Sequence, residues 1–304
     1  MKYVVTGGAG FIGSALVDKL IEDGHEVIVF DNLCTGKIQN LNPKAQLVTL
    51  DITNDNYPIM AEATLAGADT VFHLAALARV QPSIDNPLPS NKTNIEGTLK
   101  VLCAANNAGV RRFVYSASSS AYGDSPMPED GYNEECATNP LSPYGLQKLV
   151  GEQYCKLFPH VYGIETVCLR YFNVFGERQN LSGAYALVMG IFAQQRLDDK
   201  PMTIYGDGEQ RRDFTYVGDV VRANLLAAAS DQAGKGEVFN IGNGDNRSVN
   251  QIADLIGGPK EYLDPRLEPK ETLANNTKAK KILDWAPTTS VEEWIPKYKK
   301  ELGI

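Results

Sequence analysis

The string Thr6-Gly7-Gly8-Ala9-Gly10-Phe11-Ile12-Gly13 constrains this chain more than any other feature. Gly8, Gly10 and Gly13 match G-x-G-x-x-G, and Gly7, Gly10 and Gly13 match the related G-x-x-G-x-x-G. Glycines permit a tight turn and let backbone N–H groups approach a pyrophosphate at a helix N-terminus. Such strings are common, and they acquire meaning only between a strand and a helix. Here the apolar run Tyr3-Val4-Val5 precedes the string. After it, Phe11, Ile12, Ala15, Leu16 and Leu20 share one helix face, and Gly24 is placed to end that helix. Asp31 closes the next apolar run, at the separation expected of a carboxylate that binds the adenosine ribose hydroxyls. A carboxylate there repels a 2′-phosphate, so the pattern predicts NAD rather than NADP.

The same alternation continues through the first half. Glu26–Phe30, Gln46–Leu50, Thr70–Leu74, Arg112–Tyr115 and Glu165–Leu169 are short runs rich in β-branched and aromatic residues, separated by helical patterns. Strand, helix, strand, repeated, predicts an α/β fold, a Rossmann-type doubly wound parallel sheet. After about Asn173 the alternation stops and turn signals become dense, as in Tyr205–Glu209 and Gly242–Asp245. We expect a smaller C-terminal α/β substrate domain there. Val217–Ala229 reads as a helix and Val238–Ile241 as a strand. The expected division is a nucleotide-binding domain over 1–172 plus about 214–242, and a second domain over 173–213 and 243–304.

Composition bounds the partners. The formal net charge of -8 argues against nucleic acid, which needs clustered Lys and Arg. Cys34, Cys103, Cys136, Cys155 and Cys168 lack CxxC spacing and are odd in number, as reduced cytoplasmic thiols would be. His25, His73 and His160 have no Cys or carboxylate near them in metal spacing, so no metal is expected. The N-terminus shows no signal-peptide pattern and no apolar run is long enough to span a bilayer, so the expectation is a cytoplasmic chain without membrane contact.

The chemistry is carried by two further segments. Ser142-Pro143-Tyr144 reads as a helix start, with Ser142 as N-cap and Pro143 at the first helical position. Tyr144 and Lys148 then lie one turn apart on one face. A cation beside a phenol and the positive end of the helix dipole both favour the phenolate, the form a general base for alcohol oxidation requires. Tyr and Lys four apart recur by chance on many helices. The context is what makes the pair specific: a hydroxyl-rich stretch, Tyr115-Ser116-Ala117-Ser118-Ser119-Ser120-Ala121-Tyr122-Gly123, directly follows a strand. Ligands bind at that end of open parallel sheets.

With these residues the chain resembles the extended short-chain dehydrogenases, most closely the UDP-hexose 4-epimerases, including those acting on UDP-N-acetylhexosamines. The resemblance runs through Thr6–Gly13, Asp51-Ile52, His73–Ala76, Asn94–Thr98, Ser116–Gly123, Tyr144–Lys148, Arg170–Gly176, Arg212–Phe214 and Thr277–Trp285. It implies a tightly bound NAD, a UDP-sugar substrate and a homodimer, with Tyr144, Lys148 and Ser118 as the catalytic set. It places Gly7, Gly10, Phe11, Ile12, Gly13, Asp31, Asn32, Leu74, Ala76, Ser116, Tyr144, Lys148 and Tyr171 on the cofactor, Asp51 and Ile52 beside its adenine, and Ala75 and Asn94 along it. On the substrate side it implies Ser118 at the sugar O4 with Ser119 and Ser120 nearby, Asn173 at the diphosphate or sugar, and Tyr205 on the uracil. Arg212 and Arg266 would hold the diphosphate, Glu268 the uridine ribose, and Thr272 the gate beside the sugar C2 substituent. Relatives with Tyr at the gate are restricted to plain hexoses, whereas small residues leave room for an acetamido group. The stretches Asn173–Asn180 and Gly183–Ala186 also look like the N-acetylhexosamine-active branch. In relatives the helices following Asn94 and Pro143 pair with their copies; here Leu99, Leu102, Cys103, Leu149 and Tyr154 would supply the contacts.

Three departures stand out. Ala78-Arg79-Val80 puts a cation close to where relatives place the sugar pocket. The segment from Arg266 to Glu268 is one residue shorter than the usual pattern. Ser119 and Ser120 stand where 4,6-dehydratases carry Asp-Glu, which removes the acid–base pair needed to eliminate water. Two rival readings follow: a UDP-glucuronate 4-epimerase or decarboxylase, with Arg79 on the C6 carboxylate, and an NAD-binding regulator without turnover.

Overall fold

The computed structural model describes residues 1–181, 186–265 and 269–304. Its strands in chain order are β1 (Lys2–Thr6), β2 (Glu26–Asp31), β3 (Gln46–Thr49), β4 (Thr70–His73), β5 (Arg112–Ser118), β6 (Glu165–Tyr171), β7 (Val174–Phe175), β8 (Met202–Tyr205), β9 (Arg211–Asp213), β10 (Thr215–Tyr216), β11 (Lys235–Ile241), β12 (Asn246–Ser248) and β13 (Lys260–Leu263). The helices are α1 (Phe11–Glu22), α2 (Tyr57–Leu65), α3 (Val80–Asp85), α4 (Pro87–Asn91), α5 (Thr98–Asn107), α6 (Pro143–Val161), α7 (Val188–Leu197), α8 (Val217–Ala229), α9 (Val249–Ile256), α10 (Thr277–Leu283) and α11 (Val291–Leu302).

A parallel sheet in the order β11-β6-β5-β4-β1-β2-β3 forms the centre. Successive strand residues point to opposite faces, and both faces are apolar. Val5, Val27, Val29, Phe72, Val114, Val167 and Phe239 meet α1 and α8 through Leu16, Val17, Leu20, Val220 and Ala227. Val4, Ile28, Phe30, Val71, Phe113 and Cys168 meet α2, α5 and α6 through Tyr57, Leu65, Val101, Leu102 and Phe158. The order reverses between β1 and β4, and open α/β sheets bind ligands at such a reversal. The seven-stranded parallel sheet flanked by helices on both faces is the Rossmann-type fold that the alternation predicts.

The strand expected at Val238–Ile241 extends back to Lys235 and pairs with β6 at the sheet edge. The later segments build a separate core from Phe175, Phe192, Met202, Ile204, Phe214, Ile252, Trp294 and Ile295. The short pairs there are β8 with β13, β9 with β12 and β7 with β10. Glu177 ties this core together, accepting from Trp294 Nε1 at 2.8 Å and from the Tyr216 hydroxyl at 3.0 Å. Among the described residues no helix is long and apolar enough to cross a membrane, and the five cysteines are free thiols.

Candidate active site

A cleft of about 520 Å³ opens at the C-terminal ends of the parallel strands. Its walls include Gly7, Gly10, Phe11, Ile12 and Gly13 after β1, then Asp31, Asn32, Asp51 and Ile52, then Leu74, Ala75 and Ala76 after β4. Ser116 and Ala117 on β5, Tyr171 on β6, and Tyr144 and Lys148 on α6 complete the inner end.

The glycine turn is shaped by contacts that no side chain would allow. Gly7 has φ +72°, and a Cβ on it would stand 2.7 Å from the Ala75 nitrogen. A Cβ on Gly13 would stand 2.2 Å from the Gly7 carbonyl oxygen. The turn delivers Gly10 to the cap of α1, where no side chain caps the helix. The first N–H groups of a helix need such a partner, and a pyrophosphate satisfies that need. Asp31, at the end of β2, accepts from Ala9 N–H at 2.9 Å and from Leu33 N–H at 2.8 Å. Asp51 accepts from Thr53 N–H and the Asn32 amide. Burial pushes its carboxyl up, but these donors and the Lys92 charge outweigh burial and hold it below the usual carboxylate range. The groups fit a dinucleotide: an open helix N-terminus for the pyrophosphate and two fixed carboxylates toward the adenosine end.

Behind the cleft a chain of hydrogen bonds runs from β1 through β4 to α5. The Thr98 hydroxyl donates to the Asn94 carbonyl at 2.8 Å, so it accepts from His73 Nε2–H at 3.0 Å. His73 Nδ1 therefore accepts from the Thr6 hydroxyl at 2.7 Å, which in turn accepts from Ala75 N–H. The network assigns His73 as the neutral Nε2–H tautomer. Burial, and then the Lys148 charge, push this imidazole down to about 3, which keeps it neutral. Asn94 continues the chain. It is buried, and Leu77, whose backbone it holds, lies on the cleft wall. Its amide is spent on the Leu77 backbone and on Gln147 of α6, at 2.9 to 3.1 Å and 2.8 Å. It thereby braces the cleft wall at Leu77 against the helix that carries Tyr144.

That helix begins as expected, with the Ser142 hydroxyl accepting from Gly145 N–H and Pro143 in the first turn. Tyr144 N–H donates to Ser83 of α3. Burial pushes the Tyr144 phenol up, and a hydrogen bond to Ser118 and the Arg79 charge pull it back. Lys148 is buried and donates to the Ser116 carbonyl at 2.8 Å, with its ammonium 5.0 Å from the Tyr115 ring centre. Burial pushes it down to about 8 against the opposing charge of Glu152. Ser118, at the end of β5, lies 3.1 Å from the Ser120 hydroxyl and accepts from Ser120 N–H.

The remaining candidates are distributed. Arg79 lines the cleft. Ser118, Ser119, Ser120, Asn173, Tyr205, Arg212 and Thr272 do not. Asn173 donates its amide to the Asp213 carbonyl at 2.9 Å; Tyr205 ends β8 and Arg212 is in β9. Thr272 N–H donates to the Arg211 carbonyl. Arg266 and Glu268 lie outside the described residues, as do Gly183, Ala184 and Tyr185. Unforeseen in the sequence are Lys37, Lys92 and Arg178 on the cleft wall. Arg178 spans to Asp18 of α1 and to the Asn40 carbonyl.

Residues 3–242 match the NAD dependent epimerase/dehydratase family. A putative UDP-glucose 4-epimerase of Methanocaldococcus jannaschii is 41% identical over 300 residues, 96% of this chain and 95% of the relative. A crystal structure of UDP-glucose 4-epimerase from Thermotoga maritima with UDP-glucose superimposes with a TM-score of 0.92 at 41% identity, covering 99% of this chain and 100% of that one. The UDP-N-acetylglucosamine 4-epimerase of Methanobrevibacter ruminantium, in complex with UDP-N-acetylmuramic acid, gives 0.89 at 36% identity, covering 99% and 98%. The chain belongs to the NAD dependent epimerase/dehydratase family, and its cofactor is NAD.

Proposed function

We propose that this chain is an isomerase that reversibly epimerises C4 of a UDP-hexose, UDP-glucose/UDP-galactose and also UDP-N-acetylglucosamine/UDP-N-acetylgalactosamine. The observation that carries this is the convergence of Tyr144 and Lys148 on the cofactor cleft, opposite the glycine turn that receives the dinucleotide. Tyr144, directly or through Ser118, takes the proton from the 4-hydroxyl and later returns one. Lys148 holds a positive charge at the inner end of the cleft. Bound NAD supplies a hydride acceptor and donor. The resulting 4-keto sugar turns about its phosphate linkage and presents its opposite face before the proton is returned. Ser119 and Ser120 offer no acid–base pair, so elimination of water does not compete. Arg212 and Arg266 would hold the diphosphate, because guanidinium forks donate bidentate bonds. In this reading 1–172 with about 214–242 bind the cofactor, and 173–213 with 243–304 bind the nucleotide sugar, in the cytoplasm. NMR of the protein with UDP-Glc, UDP-GlcNAc and UDP-GlcA in turn tests it; conversion of the first two supports it. Conversion of UDP-GlcA alone transfers the assignment to a uronate enzyme, the reading that Arg79 in the cleft favours.

Two expectations follow. Asp31→Ala weakens NAD binding about tenfold and relaxes discrimination against NADP, since a charged hydrogen-bond acceptor is typically worth 1.5–3 kcal/mol. Fluorescence titration checks this, and a wild type that prefers NADP overturns it. The second concerns assembly. We propose a homodimer formed through α5 and α6. Leu102 cannot contribute, because it is fully buried in the chain's own core. Leu146 and Leu157 are each 51% exposed and extend the apolar face of α6 beside Leu149 and Tyr154. Leu99 and Cys103 flank them on α5. Light scattering should give a dimer at micromolar concentration, and Leu146→Glu with Leu157→Glu a monomer. A wild-type monomer overturns the proposal.

A further inference from the structure

Asp213 is fully buried at the end of β9, yet it is not part of the main sheet. Its carboxylate accepts three backbone N–H groups from two distant segments: Asn243 at 2.7 Å, Gly244 at 2.9 Å and Ala274 at 3.0 Å. Its own backbone is engaged as well. The carbonyl accepts from the Asn173 amide at 2.9 Å, and the N–H faces the Thr272 hydroxyl at 3.5 Å. The loop at Gly242 follows β11 directly, so the carboxylate anchors the 271–276 segment to the cofactor-binding sheet.

We infer that Asp213 is a positioning residue for the nucleotide-sugar half of the site, its carboxylate setting where Arg212, Asn173 and Thr272 stand relative to one another. The inference rests on the proposed function. Three of the proposed substrate contacts stand beside Asp213: Arg212 precedes it, Asn173 donates to its carbonyl, and Thr272 lies two residues before Ala274, which the carboxylate holds. The residue type matters. A carboxylate presents acceptors on both oxygens, whereas an amide must turn its NH₂ toward at least one N–H donor. Burial pushes this carboxyl up to about 7 against the pull of the three N–H donors, so the charge-assisted form, which makes the stronger bonds, prevails above neutral pH. The packing leaves no slack: a Cβ on Gly242 would stand 2.3 Å from the Ala274 Cβ and 3.1 Å from Asp213 Oδ2.

The test uses Asp213→Asn in the NAD-loaded full-length chain. Loss of one or two buried hydrogen bonds from the carboxylate is expected to weaken UDP, read by calorimetry, and to raise KM for UDP-glucose, each about tenfold. The kcat should change less than KM, NAD affinity should stay at the wild-type value, and the ratio of UDP-GlcNAc to UDP-Glc turnover should shift. A merely structural residue would lower Tm and leave UDP affinity and the ratio untouched, and that result overturns the inference. UDP affinity separates this failure from that of the reading beneath it: a wild type that epimerises nothing but loses UDP affinity in Asp213→Asn keeps Asp213 and discards the epimerase. If Asp213→Asn does not fold, Gly242→Ala displaces the same segment with the carboxylate intact. It should weaken UDP by a similar factor, and wild-type UDP affinity in it overturns the inference.

Discussion

Tyr144→Phe should lower UDP-sugar turnover at least about 100-fold, because a positioned general acid–base is typically worth 10²–10⁴. The substitution removes one oxygen and leaves the ring. What holds Tyr144 in place is backbone: the Ser142 cap, Pro143 in the first turn, and the N–H donated to Ser83. None of these depends on the phenol, so circular dichroism should match wild type and NAD should still bind. The hydroxyl is what the chemistry needs. Burial disfavours its ionised form, and the Ser118 hydrogen bond and the Arg79 charge oppose that penalty. Phe can neither take the 4-hydroxyl proton nor return it. Steady-state assay of both sugars against wild type measures the effect, and near-normal epimerase activity would remove Tyr144 from the mechanism.

Parts of this site were legible because steric rules write them into the sequence. Gly7 and Gly13 sit where a Cβ would strike the backbone of Ala75 and of Gly7, so glycine spacing between a strand and a helix located the turn. The strands were legible because both faces of the sheet are buried, which forces short, continuous apolar runs. The cap at Ser142 followed from local chemistry in the same way. Long-range pairings were not legible. β13 is largely exposed and pairs with β8 more than fifty residues away, so it carries no apolar signature. Only the family resemblance places Asn94 along the cofactor. Its amide direction depends on Leu77 and Gln147, which no local pattern reveals. Arg178 and Asp213 were missed for the same reason: the partners of one lie on α1 and near Asn40, those of the other at 243–244 and 274.

Thr272→Tyr should abolish most UDP-GlcNAc turnover, by about 100-fold or more, and leave much of the UDP-Glc activity; pockets discriminate by filled volume on that scale. The position is well defined in the fold. Thr272 N–H donates to the Arg211 carbonyl, its hydroxyl faces Asp213 N–H, and its carbonyl lies 3.4 Å from the Asn246 amide. Backbone pairing to the strand that carries Arg212 therefore fixes the residue, whatever its side chain. It is only partly buried, so a larger side chain has somewhere to project instead of unfolding the core. In the proposed reading, threonine at the gate would leave room beside the sugar C2 for an acetamido group, and the smaller C2 hydroxyl of a plain hexose would fit the same space. A tyrosine ring fills that room and excludes only the larger substituent. The two activities must then separate, with UDP affinity unchanged because the diphosphate contacts are untouched. Equal loss of both activities, or no UDP-GlcNAc turnover in wild type, would sink the gate argument. Equal loss would point to a displaced 271–276 segment, and the shared UDP affinity of Thr272→Tyr and wild type tells the two apart.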